Sequence, residues 1–470
     1  MIKTGLLILS VLFMATAHGA GLPELGDSSR NSFSTATEAR IGQEIMGQIR
    51  ASPEYAEDPV IVDYLNTLGE RLANSSESSQ AFEFFLIQDR SVNAFALPGG
   101  YIGVHTGLVL TTQTESELAS VLAHEIAHVT QNHIARIMDA RRSSSMASLV
   151  SIAVAILAAR SDPTVAQAAI VGAQAIGIQN QLDFTREHER EADRVGLQTL
   201  SAAGFTPQGM GAFFERLQAK NRVYETNAPA YLRTHPLTHE RLADIQNRLS
   251  SLPYRQTVDS PEYELVRARV TAEDGEASDA VAIFLEKTKR ATQTPASWYG
   301  LALAYIRAGN TVQAELALKK ARSLADESPI LSLAEIELAM ATAQNEKALR
   351  LSTIALFSHS GYRPLSYAHA RALLSNGHGL KALTFLDEQR RTWTTDSTFP
   401  ALKAEALQKL GRPVESALSQ ADAYELRGQL GSAVTQLEMA QKLKGADFRT
   451  MSQVDARLRL LRDKAENQSN

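Results

Sequence analysis

His124-Glu125-Ile126-Ala127-His128 follows directly on the apolar run Leu118-Ala119-Ser120-Val121-Leu122-Ala123, and Val129 continues it. Thr114, ahead of Glu115, Ser116 and Glu117, reads as a helix cap with acids in the first turn. The stretch is therefore predicted as one buried helix from Thr114 to about Arg142. Histidines at i and i+4 project from one helical face, close enough for both rings to reach a single Zn²⁺. Glu125 stands one residue round, where its carboxylate can take the proton of an attacking water. This pattern is that of a zinc peptidase holding one ion per subunit, with His124 and His128 as ligands and Glu125 as the base.

Such a site needs a third protein ligand. His133 lies five residues after His128, roughly 140° round a continuous helix, and reads as a structural or surface histidine. A second helix offers Arg186-Glu187-His188-Glu189-Arg190-Glu191-Ala192-Asp193. Spacing alone leaves Glu187, His188, Glu189 and Glu191 open. Glu189 has the advantage that Asp193 lies one turn on along the same face, where it can orient a ligating imidazole through its free N–H.

Working outward, Ile41, Ile45 and Ile49, then Ile61, Leu65, Leu68 and Leu72, recur at helical spacing, with Pro53 and Pro59 dividing two helices. Phe82 to Ile87 and Val92 to Val104 are strand-rich, and Pro98-Gly99-Gly100 reads as a tight connection between two strands. The strand near Asn93, Pro98, Gly99 and Gly100 is predicted to be an edge to which an extended substrate adds by main-chain pairing. Residues 143–182 are uncharged apart from Arg160 and Asp162, and are expected to form cleft-covering or surface helices with peripheral membrane contact.

From about residue 262 the chain repeats with a period of 34. Ala280, Ala314, Ala348 and Ala382 fall in register, followed four residues on by Phe284, Leu318, Ser352 and Leu386. Small residues at a fixed phase are what closely crossing helix pairs require, and the pattern fits about four tetratricopeptide repeats. A last unit, from Ala421 to Ala440, is displaced by half a repeat. At the other end, Lys3 precedes the apolar run Gly5 to Ala15 and an Ala15-x-Ala17 site, the layout of a secretory signal peptide. Cleavage is expected after Ala17 or Ala20, with export to the periplasm. The division expected is a signal peptide at 1–20, a metallopeptidase domain at 21–261 and a repeat domain at 262–465.

The chain has 470 residues and a formal net charge of −5, a balance that argues against a nucleic-acid partner. It has no cysteine. That excludes thiol catalysis, disulfides and thiolate metal sites, and leaves His, Asp and Glu as metal ligands.

Together with Asn93 to Ile102 and Thr106-Gly107-Leu108, the two motifs at 124–128 and 189–193 resemble the zinc metallopeptidases of the HtpX and CAAX-prenyl-protease type. The resemblance implies a fold that is mainly α with a small β-sheet, a zincin-like peptidase domain followed by a tetratricopeptide α-solenoid. It implies zinc on His124, His128 and Glu189, with Glu125 as the base. It further implies that His235, in Leu232-Arg233-Thr234-His235-Pro236-Leu237, is a regulatory fourth ligand holding the enzyme latent. From the residues themselves, His235 is only a histidine before proline in a loop. Export signal, peptidase and C-terminal repeats combined resemble periplasmic members of this group. That implies outer-membrane β-barrel proteins as substrates and the β-barrel assembly machinery as a partner of the repeats.

Overall fold

The computed structural model describes residues 34–76, 78–140, 186–223, 229–252, 257–325, 327–443 and 446–469. The expected signal peptide at 1–20 and the 143–182 stretch lie outside them. Among the described residues, no helix is long and apolar enough to cross a membrane.

Helix α1 (Thr35–Ile49) leads through the two-residue strand β1 (Tyr55–Ala56) to α2 (Pro59–Ala73). Asp58 caps α2 by accepting from the Val60 and Ile61 N–H groups, with Pro59 at the first helical position. Strands β2 (Glu83–Ile87), β3 (Ala94–Leu97) and β4 (Tyr101–His105) complete a sheet of order β1-β2-β4-β3. β2 and β4 run parallel, and β3 pairs antiparallel with β4 alone, so β3 is an edge. The Pro98-Gly99-Gly100 turn joins them as expected. Gly99 and Gly100 have φ values of 82° and 85°, left-handed conformations that side chains with a Cβ rarely adopt.

Side-chain alternation gives the sheet two packed faces. Ala94, Ile102 and Val104 join the core of α2, while Phe85, Ile87 and Leu97 pack on Ile41, Ile45 and Ile49 of α1. After the short α3 (Thr106–Thr111) comes α4 (Glu115–Thr130), whose cap Thr114 accepts from the Glu117 N–H. Every residue of α4 from Glu115 to Val129 is buried. Its buried acids are partnered: Glu115 accepts from Tyr64 and Ser260, and Glu117 pairs with Arg216 at 2.5 Å.

The single helix expected to reach Arg142 is broken. Asn132 adopts a left-handed φ of 54°, and a separate helix α5 (His133–Ala140) starts from it. Asparagine tolerates that conformation better than most residues. The N-terminal region is completed by α6 (Arg186–Ala202), α7 (Gln208–Val223), α8 (Ala230–Thr234) and α9 (His239–Ser251). Gly196 lets α6 lie directly on α4, for a Cβ there would stand 3.1 Å from the His124 backbone.

The repeat region comprises α10 (Pro261–Glu273), α11 (Ala277–Thr288), α12 (Pro295–Arg307), α13 (Thr311–Leu324), α14 (Pro329–Ala341), α15 (Asn345–Ser358), α16 (Arg363–Ser375), α17 (Gly379–Thr392), α18 (Thr398–Lys409), α19 (Pro413–Leu426), α20 (Leu430–Gln441) and α21 (Phe448–Ser469). Ser260, Thr294 and Ser328, 34 apart, each cap a helix whose first residue is proline. Ala280, Ala314, Ala348 and Ala382 are fully buried where paired helices cross. Near Ala421, as elsewhere along the array, a helix packs on both of its neighbours, α19 on α18 and α20. The solenoid also folds back on the N-terminal region. Arg269 of α10 bonds Asp58 at 2.6 Å, Arg363 of α16 faces Asp63, and Arg427 bonds Glu57 at 2.9 Å. A cavity of about 1290 Å³ lies between the two parts, lined among others by Tyr55, Phe82, Tyr367 and Trp393.

Candidate metal centre

Helix α4 presents His124 and His128 from one face, and the Nε2 atoms of the two rings are 3.0 Å apart. Helix α6, held against α4 at Gly196, delivers Glu189 between them. Its carboxylate oxygens lie 3.5 Å from His124 Nε2 and 3.4 Å from His128 Nε2. The end of α8 brings in His235, whose Nδ1 is 3.0 Å from Glu189 Oε1 and 3.4 Å from His124 Nε2. One ligand atom from each of these four buried residues fits within 4.8 Å of the others. Four ligands held tetrahedrally at about 2 Å from one ion are separated by roughly 3.3 Å. The spacings of 3.0–3.5 Å between these atoms fit that arrangement.

Of the acids and the histidine left open on α6, only Glu189 enters the cluster. Glu187 is exposed, and His188 and Glu191 turn towards His133. Asp193 stands where expected, its Oδ1 3.0 Å from His124 Nδ1.

Glu125 is fully buried, and its Oε1 lies 3.6 Å from His235 Nε2. Burial pushes its carboxyl up, while His235 and His124 act in the opposite direction. Edge strand β3 packs against the helix that carries this base. His105 N–H bonds to Asn93 C=O, and in the alternation of an antiparallel pair this leaves the main-chain groups of Ala94 and Ala96 facing away from β4. Asn93 precedes that edge, whereas Pro98, Gly99 and Gly100 form the turn, packed against α1 and Ala81. The free main chain of the edge is thus carried by Ala94 and Ala96.

Burial opposes the charged form of His124, but its bonds to Asp193 and Glu189 prevail and lift its pKa to about 9. Burial takes His128 the other way, to about 3. Glu189 is held well below the usual carboxylate range, because His235, His124 and His128 outweigh its burial.

Three residues of the site escape sequence reasoning. Arg241 of α9 is 2% exposed; it donates to both oxygens of Asp193 at 2.7 and 2.8 Å and to the Pro236 carbonyl at 2.9 Å, and its guanidinium stands 2.8 Å from a Glu189 oxygen as an ion pair. It ties the His235 segment to the carboxylates of α6. Tyr231 stacks on His235 with ring centroids 4.7 Å apart, and its N–H donates to the Val92 carbonyl just before β3. His133, expected at the surface or in a structural place, is completely buried beside His128.

A carboxylate buried next to a metal-binding cluster and an open strand edge is an arrangement for hydrolysing extended polypeptide, and the chain is a metalloprotease. Residues 62–249 match the model of peptidase family M48. The chain is 32% identical to the β-barrel assembly-enhancing protease of Escherichia coli (strain K12), over 95% of this chain and 92% of that protein. It therefore belongs to the β-barrel assembly-enhancing proteases of family M48. A protein of Vibrio cholerae is 40% identical over 61% of this chain, and the match spans 60% of that relative's length. The mitochondrial metalloendopeptidase OMA1 of Schizosaccharomyces pombe is 30% identical over 47% of this chain and 63% of its own length.

Proposed function

We propose that the chain is a zinc endopeptidase of the periplasm that degrades misassembled outer-membrane β-barrel proteins and is latent at rest. His124, His128 and Glu189 hold the zinc, His235 occupies the fourth position, and Glu125 is the catalytic base. The observation carrying this reading is His235, whose two ring nitrogens face Glu189 and Glu125 at 3.0 and 3.6 Å. Two imidazoles and a carboxylate with an exchangeable fourth ligand are a donor set suited to zinc. The location is supported by the signal-like segment at 1–20, and the substrate class by the names of the relatives.

Zinc supplies the Lewis acidity that polarises a scissile carbonyl and activates water. The chain's own residues do the rest. An extended substrate pairs with the free main chain of Ala94 and Ala96, which sets its carbonyl beside Glu125 without demanding particular side chains. Glu125, raised by burial, accepts the proton of the attacking water and returns it to the leaving amine. None of this proceeds while the His235 ring fills the position between Glu189 and Glu125. Release requires movement of the α8 segment, which is tied down by Arg241 at Pro236 and by the Val92 carbonyl at Tyr231. The repeats present clients, or the assembly machinery that carries them, and tethering raises the local substrate concentration. The cavity between repeats and peptidase, lined largely by charged side chains such as Arg50, Glu57, Asp63, Arg363 and Arg371 with a few aromatics among them, is the place where such a chain would lodge.

The closed site also favours a second reading, in which the repeats assist assembly without cleavage. The two separate in cells lacking the native chain. Glu125→Gln should fail to clear a stalled β-barrel protein and should accumulate it in crosslinks. Full complementation by Glu125→Gln, including clearance of that client, would refute the proteolytic reading.

A further inference from the structure

His133 opens α5 at the point where the chain reverses through the left-handed Asn132. The reversal brings the His133 ring behind His128, with the two Nδ1 atoms 2.9 Å apart. On its far side, His133 Nε2 lies 3.2 Å from Glu191 Oε2, and the same oxygen accepts from Arg136 at 2.8 Å. The His133 ring stacks on His188, with centroids 4.5 Å apart and planes 23° from parallel. The ring itself is completely buried.

The tautomers follow from these contacts. His128 turns Nε2 towards His124 and Glu189, so its Nδ1 carries the proton. Only one proton fits between two nitrogens at this separation, so His133 Nδ1 accepts and its Nε2–H donates to Glu191. Hydrogen bonds therefore run in one direction from the metal-facing ring, through a second imidazole, to a carboxylate. His124 is backed differently. Its Nδ1 faces Asp193 directly, and Asp193 is clamped by Arg241.

We propose that His133 is a positioning residue of the metal centre: with Glu191 behind it, it fixes the tautomer and ring plane of His128, as Asp193 does for His124. The inference rests on the reading of His128 as a ligand. Helix α6 then serves both sides of the site, with Glu189 in the cluster and Glu191, two residues on, at the end of the relay. A neutral imidazole also backs His128 without adding an anion to a pocket that already holds Glu125, Glu189 and Asp193.

The test uses the full chain, stripped of metal and titrated with zinc against a competing chelator, with urea unfolding of each apo form alongside. His133→Phe keeps the ring shape but neither accepts from His128 nor donates to Glu191. It should weaken zinc binding about 10- to 100-fold, the usual effect of losing such a backing group. His133→Gln, whose amide can do both, should bind clearly more tightly than His133→Phe. Glu191→Leu, which removes the acceptor behind His133 at a partly exposed position, should weaken binding several-fold, its apo unfolding being read alongside. Zinc affinity within about twofold of wild type in His133→Phe, or equal weakness of the Phe and Gln variants, would overturn the proposal. Should His133→Phe not fold, an unchanged affinity in Glu191→Leu would overturn it instead. A wild type that binds no zinc would remove the site itself, and is read from the same titration.

Discussion

Arg241→Met removes the charge at the centre of the site's carboxylates while keeping most of the side-chain stem. Asp193 and Arg241 are 1% and 2% exposed, and the guanidinium makes two hydrogen bonds to Asp193 and an ion pair with Glu189. Without it, Asp193 is left buried with only His124 opposite. Breaking a buried pair in this way costs about 3–5 kcal/mol. In urea unfolding of the metal-free chain, that is a midpoint shift of about 1–2.5 M for m near 2–3 kcal/mol/M. The pH dependence follows from the signs. In the native chain burial opposes the charge on Asp193, but Arg241 and His124 hold its carboxyl below the ordinary value. Its contribution is therefore present above the unfolded pKa of about 3.9 and fades as pH falls through the folded value. In Arg241→Met the balance reverses, burial raises the carboxyl, and acidification relieves the cost. The gap between the two proteins should be widest near neutrality and narrow below about pH 5. A cost under about 1 kcal/mol at pH 7, or a gap independent of pH, would refute the reasoning.

Four further outcomes follow from the same contacts. His235→Ala should raise proteolysis of an unfolded β-barrel client at equal zinc content, and unchanged or lower turnover would count against latency. Asp89 has its pKa lowered to about 2, because bonds with His105 and Ser91 outweigh its burial. Asp89→Asn should cost about 2 kcal/mol at neutral pH, a difference that disappears as acid titrates the native carboxylate, read by urea unfolding across pH. Gly196→Ala would place a methyl 3.1 Å from the His124 backbone and should destabilise the fold by about 1–3 kcal/mol, although alanine is the better helix former. Thermal unfolding of that variant decides whether the close approach or the helix propensity prevails. Removing metal with a chelator should lower the unfolding temperature and re-addition of zinc should restore it, by the binding energy available only to the folded chain.

The helix carrying His124, Glu125 and His128 was legible in the sequence because cap, apolar flanks and ligand spacing agree. The repeats were legible for a related reason. Helix pairs that cross closely demand a small residue at one phase, and the alanines at 280, 314, 348 and 382 meet that demand. Glu189 was distinguishable from its neighbours only through Asp193, one turn further on. The end of that helix was not foreseen, because nothing in Gln131-Asn132-His133 outweighs helical propensity until tertiary packing selects the left-handed Asn132. With the helix assumed continuous, His133 seemed to point away from the site, and the chain reversal is what brings it behind His128. Arg241 was invisible for a different reason. An arginine three residues after the cap Thr238 looks like any solvated charge, and only the fold places Asp193 and Glu189 opposite it.

The most direct test of the metal centre is X-ray absorption at the zinc edge, on the zinc-loaded wild-type chain and on His235→Ala. The wild type should show one zinc with three imidazole nitrogens and one carboxylate oxygen as near neighbours. His235→Ala should show two imidazoles, with oxygen in the vacated position. Two imidazoles in both proteins would contradict the closed site, and an ion without imidazole neighbours would contradict the assignment of His124 and His128.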